Sequence, residues 1–126
     1  MVTDNSKNEL LLRKQIPKYD VVICIPDRQI PKNKVPVERY KELCGRYREM
    51  VPRIEGDYLD ILTENGRYVE GLIGEKAGLA DKALEEGALA AGITGTGPAT
   101  AVIAKKGDGK RIAEALGYRT MVTTTR

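Results

Sequence analysis

The sequence predicts an α+β sandwich, an antiparallel sheet with helices packed on one face, and three observations carry that prediction. Residues 21–25 (Val-Val-Ile-Cys-Ile) form a continuous apolar run that Pro26 stops, the pattern of a central strand covered on its faces. Apolar residues recur at helical spacing through 37–51, 58–72 and 79–84. Beyond them, two apolar runs are joined by a glycine-rich segment, as in a tight connection between antiparallel strands.

Taken in order, Leu10, Leu11 and Leu12 begin a first strand and 21–25 make the second. After a loop containing Pro26, Pro31 and Pro36, the residues Val37, Tyr40, Cys44, Tyr47 and Val51 line one helix face; Pro36 suits its first turn and Pro52 is expected to end it. Asp57 can cap a second helix whose stripe runs Tyr58, Leu62, Asn65, Val69 and Leu72. A third, over 79–86, presents Leu79, Ala80, Ala83 and Leu84 and stops at Gly87. A strand, the glycine loop and a strand over 99–104 follow. A short helix over 108–116, closed by Gly117, and a last strand over 118–123 complete the chain. This order is that of a ferredoxin-like sandwich with an added helix in its first crossover, and the fold by itself implies no activity.

The loop Thr94-Gly95-Thr96-Gly97-Pro98 is the most informative segment. Its glycines leave no Cβ in the way of a close approach, and Pro98 biases Gly97 toward an extended shape. The N–H groups of residues 94–97, with two threonine hydroxyls, are expected to converge on an anion. Two commoner fingerprints are excluded: a dinucleotide loop needs GxGxxG ahead of a helix, and a P-loop ends in Gly-Lys-Ser/Thr, whereas this loop ends in Gly-Pro-Ala. On the second helix, Asn65 falls on the apolar stripe and Gly66 follows it, where glycine costs about 1 kcal/mol relative to alanine. A buried asparagine needs a partner, and an interior glycine marks close approach of another backbone. Asn65 is therefore expected to hold the 94–98 loop in shape.

Composition narrows the function classes. The 126 residues, 41% hydrophobic, make one domain, 1–126, able to bury about two thirds of its unfolded surface. Cys24 and Cys44 read as reduced, buried thiols of a cytoplasmic protein, and a zinc site is excluded by the absence of histidine. No apolar stretch approaches the ~20 residues needed to span a bilayer. A net charge of +3, spread over Arg28, Lys32, Lys34 and the turn around Lys105, Lys106, Lys110 and Arg111, without Phe or Trp, argues against nucleic acid.

Residues 87–99 resemble the third conserved motif of the GHMP small-molecule kinases, and their wording is similar to that of the archaeal shikimate kinases in that superfamily. Val2-Thr3-Asp4-Asn5, Tyr19-Asp20-Val21-Val22-Ile23 before Pro26, Glu55-Gly56-Asp57-Tyr58 and Asn65-Gly66 fall in the order of that family's C-terminal half. The resemblance implies the fold of a GHMP C-terminal domain and phosphoryl transfer from ATP with Mg²⁺ to a small hydroxylated metabolite, shikimate first and homoserine second. It implies that Thr94, Gly95, Thr96, Gly97 and Pro98 face phosphate or substrate, with Asn65 behind them, and that the catalytic residues and the ATP loop belong to an N-terminal half that no segment here matches. No nucleotide is expected to bind this chain alone, and Asp4, ahead of the first strand, is not read as catalytic. Partners are then that half and the substrate, with a homodimer possible. A different class, a stand-alone metabolite-sensing or assembly domain of ferredoxin-like form, remains open.

Overall fold

The computed structural model describes residues 2–4, 6–27, 37–42, 44–74, 78–95 and 97–126. Thr96, Pro36 and the basic loop from Arg28 to Lys34 lie outside the described residues, as does Asn5.

Among the described residues six strands and five helices occur in the order β1 (Val2–Asp4), β2 (Glu9–Leu12), β3 (Tyr19–Ile25), α1 (Val37–Glu42), α2 (Cys44–Met50), α3 (Ile54–Ile73), α4 (Gly78–Glu85), β4 (Ala90–Ile93), β5 (Thr100–Lys105), α5 (Gly109–Leu116) and β6 (Arg119–Thr124). The main sheet runs β4-β5-β3-β6 with every neighbouring pair antiparallel. With β3, β4, β5 and β6 counted as its strands, this is the ferredoxin-like arrangement that the element order predicts. The strands β1 and β2 form a separate antiparallel hairpin, so Asp4, expected ahead of the first strand, ends β1 and pairs with Glu9. Asp4 organises its turn by accepting from Ser6 N–H at 2.9 Å, Ser6 Oγ at 2.6 Å and Lys7 N–H at 3.3 Å.

One sheet face carries the core. Val22 and Val102, paired across β3 and β5, lie with Cys24 and Ala104 beneath Ala80 and Ala83 of α4 and Ile112, Ala113 and Leu116 of α5. Period-two alternation puts Asp20, Val22 and Cys24 inward and leaves Tyr19, Val21, Ile23 and Ile25 half-buried on the opposite face. Asp20 is the polar exception: its Oδ2 accepts from Gly107 N–H at 2.8 Å and Gly109 N–H at 3.0 Å, holding the first turn of α5. Those N–H groups have no acceptor inside the helix, so a carboxylate from the neighbouring strand satisfies them.

Three expectations need correction or refinement. α2 does stop at Met50, just ahead of Pro52, but the chain does not turn irregular there: Pro52 sits in a 3₁₀ turn, Val51–Arg53, that leads directly into α3, because a helix's first turn does not need the N–H that proline lacks. Asp57 is not a cap at the start of α3. It is a kink inside it, with φ −109° and ψ 28°, three residues after the helix begins. Cys44 is exposed, since α1 and the described part of α2 bury nothing but Met50, while Cys24 is fully buried.

Candidate functional site

Helix α3 and strand β4 position the glycine loop. β4 is an edge strand of the sheet, and α3 lies along it. Thr63 Oγ1 accepts from Ala91 N–H at 3.2 Å, closing a position where the strand edge would otherwise lack a partner. One turn further on, Gly66 meets Gly92 so closely that a Cβ on Gly66 would stand 2.6 Å from Gly92 Cα. The interior glycine of α3 therefore marks a close backbone approach, and the backbone it approaches leads into the 94–98 loop.

That loop is a self-bonded turn. Thr94 N–H donates to Ala99 O at 2.8 Å and Gly97 N–H to Thr94 O at 3.0 Å. Gly95 and Gly97 have φ of 55° and 83°, so the turn demands glycine at both positions. The expectation that the N–H groups of 94–97 converge on an anion fails for Thr94 and Gly97, because closing so short a connection between β4 and β5 uses those two donors internally. Thr94 and Gly95 are exposed, and Gly97 and Pro98 are half-buried.

Asn65 is half-buried, and no hydrogen bond joins it to the loop among the described residues. It lines, with Thr94, a cavity of about 220 Å³. Leu62 completes the helix wall, residues 90–93 form one side, and Ala101 and Ile103 of β5 form the floor on the sheet face opposite the core. The sequence brought Asn65 and the loop to one place, but as neighbours around a space and not as a strut and its load.

A second cavity, about 280 Å³, lies on the far side of Leu62, between the β1–β2 hairpin and the first half of α3. Tyr58 and Lys14 border it. The hydroxyls of Tyr58 and Tyr19 are 2.7 Å apart, and Lys14 Nζ donates to Glu55 O at 2.6 Å while standing 5.9 Å from the Tyr58 ring centre. The hydrogen bond to Tyr19 is the main cause that lifts the Tyr58 hydroxyl above the ordinary tyrosine range. This corner was not legible in the sequence, where Tyr19 appears only in the motif ahead of Pro26 and Tyr58 only on a helix stripe and in a second motif.

Among the described residues no cluster of His, Cys, Asp or Glu is fit to hold a metal, and no helix is long and apolar enough to cross a membrane. Among the described residues no charged side chain lines the cavity at Asn65 and Thr94. With two loop donors already engaged, the described residues of this cavity and loop do not by themselves fit the triphosphate and Mg²⁺ of ATP.

Comparison with known proteins agrees with this architecture. Residues 41–122 match the family described as GHMP kinases C terminal. The shikimate kinase of Methanothermobacter thermautotrophicus is 38% identical over 101 residues, covering 77% of this chain and 34% of that protein. The shikimate kinase of Methanothrix thermoacetophila is 37% identical over 117 residues, covering 91% of this chain and 40% of that protein. The chain thus spans between a third and two fifths of the length of these relatives. Among solved structures, a putative homoserine kinase from Listeria monocytogenes superposes with a TM-score of 0.55 at 19% identity, over 91% of this chain and 47% of that one. Mevalonate kinase from methicillin-resistant Staphylococcus aureus gives 0.54 at 21% identity, over 83% and 41%. The matched segment takes in α2 through α5 and the first part of β6, among them the elements that build the cavity and the glycine loop, and the chain belongs to the GHMP kinase C-terminal family.

Proposed function

We propose that this chain is the C-terminal half of an ATP-dependent shikimate kinase, which converts ATP and shikimate to ADP and shikimate 3-phosphate. The observation that carries this reading is the 37–38% identity to archaeal shikimate kinases across 77–91% of the chain. In this reading ATP and Mg²⁺ are held by an N-terminal half, which also supplies the proton-transfer residues. The present chain contributes the wall of the acceptor cleft: the glycine loop, with Thr94, Gly95, Thr96, Gly97 and Pro98, and the half-open sheet face beside it. Phosphoryl transfer depends on positioning and on neutralising charge, so a rigid wall that excludes water and aligns the acceptor hydroxyl is a contribution in its own right.

The test is complementation. The chain, mixed with a separately produced N-terminal GHMP-kinase half, is assayed for ADP release with shikimate and with homoserine. Turnover dependent on both polypeptides and on shikimate supports the reading. Covalent linkage acts chiefly through effective concentration, so both halves are used well above the micromolar range. Turnover on homoserine alone shifts the acceptor, and association without turnover on either one refutes the kinase assignment. Calorimetry of this chain alone with ATP and Mg²⁺ should give no binding in the micromolar range.

A further inference from the structure

The geometry points to the cavity between α3 and the open sheet face as the acceptor subsite, holding the uncharged, hydroxyl-bearing body of a small metabolite, with Asn65 in direct contact with the ligand. This deepens the kinase reading and rests on it for the identity of the ligand. The cavity has a cause in the sequence: Ala90 and Gly92 of β4 and Ala101 of β5 are small, with Ile103 across the strand pair from Ala90, and the contact between Gly66 and Gly92 anchors α3 at the margin of the space. It measures about 220 Å³, below the range of roughly 300–1,000 Å³ typical of drug-sized ligands, so it suits a compact body of few atoms.

The chemistry of the lining selects among small molecules. Among the described residues no Lys, Arg, Asp or Glu lines the cavity, so the part of the ligand that enters is neutral, and a carboxylate on it stays at the mouth. Among the described residues, two with polar side chains line the space. The Asn65 amide has donors and an acceptor to offer and makes no hydrogen bond among the described residues, and the Thr94 hydroxyl is in the same position. An amide and a hydroxyl beside Leu62 and alanine methyl groups match a carbon ring or chain bearing hydroxyls, since each hydroxyl can both donate and accept.

The test is a titration of the isotope-labelled chain with shikimate, reading the Asn65 side-chain amide by nuclear magnetic resonance, in parallel with the complementation assay. The Asn65 amide and the Thr94 and Gly95 backbone signals should move with shikimate and not with ATP. Ala101→Leu, which fills the floor without touching Asn65, should abolish the shift while the sheet signals stay in place. Asn65→Leu should raise the KM for the acceptor about tenfold with kcat changed much less, the size expected for losing one ligand hydrogen bond. An Asn65 amide unmoved at the solubility limit of shikimate, or an unchanged KM in both variants, overturns the subsite while leaving the kinase reading standing. An amide that moves in a protein pair that never phosphorylates shikimate supports the subsite and removes the kinase reading instead.

Discussion

Gly66 and Gly92 touch backbone to backbone: a Cβ placed on Gly66 would lie 2.6 Å from Gly92 Cα and 3.3 Å from Ile93 N. Real Cβ atoms do not come so near, and neither obstacle is a side chain that can swing aside. The contact sets how closely α3 covers the β4 edge, and through it the width of the cavity shared by Asn65 and Thr94.

Gly66→Ala should therefore destabilise the chain by about 1–3 kcal/mol, even though alanine favours the helix, because the overlap forces α3 away from β4. Gly71→Ala is the internal control. It lies in the same helix with nothing within 4 Å of its Cβ position, and it should stabilise by about 0.5–1 kcal/mol. Urea unfolding of the two variants with opposite signs confirms the contact; equal signs refute it.

Asp20→Ala should destabilise by about 1–3 kcal/mol, since it strips Gly107 N–H and the buried Gly109 N–H of their shared acceptor. The loss should be local as well as global. Hydrogen exchange in the first turn of α5 should accelerate more than in β3, and uniform acceleration would show that Asp20 does not act as the anchor of that turn.

Stability should fall at alkaline pH. Burial holds the Cys24 thiol above its ordinary 9.0, and the hydrogen bond to Tyr19 holds Tyr58 above its ordinary 10.0. The folded state keeps these protons where the unfolded state has released them, so their contribution is complete below pH 9.0 and is lost as pH rises through the raised values. Urea midpoints measured from pH 7 upward should fall in this window, and the fall should be shallower in Tyr58→Phe.

The two thiols should separate by reactivity. Cys44 is exposed and Cys24 is buried, so a thiol reagent should titrate one group rapidly in the native chain and the second only on unfolding. Rapid modification of both would contradict the packing of β3 beneath α4 and α5.

Gly95→Ala and Gly97→Ala should each destabilise by about 1 kcal/mol, because a side chain at φ of 55° or 83° is strained whatever space surrounds it. If the loop also faces the acceptor, activity in the complemented enzyme should drop by more than the folded fraction does. Loss in proportion to folding would reduce the loop to a turn.

Much of the fold was legible because each main-sheet strand and each core helix declares its own period. The run at 21–25, stopped by Pro26, became β3, and the helix stops expected at Gly87 and Gly117 appear as glycines with φ of 94° and 70°. What failed were marks that local rules leave open. Pro52 can end one helix or open another, and here it does both, since α2 stops at Met50 and the turn around Pro52 runs on into α3. Leu62 fits the apolar stripe of α3, yet it stays 50% exposed between two cavities, because the helix crosses the edge of the sheet and not its face.

By itself the sequence determined the order of the main-sheet strands and core helices, the helix face of the sheet and the place of the glycine turn, since these follow from side-chain periodicity and from backbone angles that only glycine tolerates. Tertiary structure alone decided what the polar residues are for. The N–H groups of Thr94 and Gly97 close the turn instead of facing an anion, and Asn65 stands beside Thr94 across a cavity without bonding to it. Those outcomes depend on how near α3 comes to β4, a distance set by two glycines that lie 26 positions apart in the chain (92 − 66) and meet only when the chain is folded.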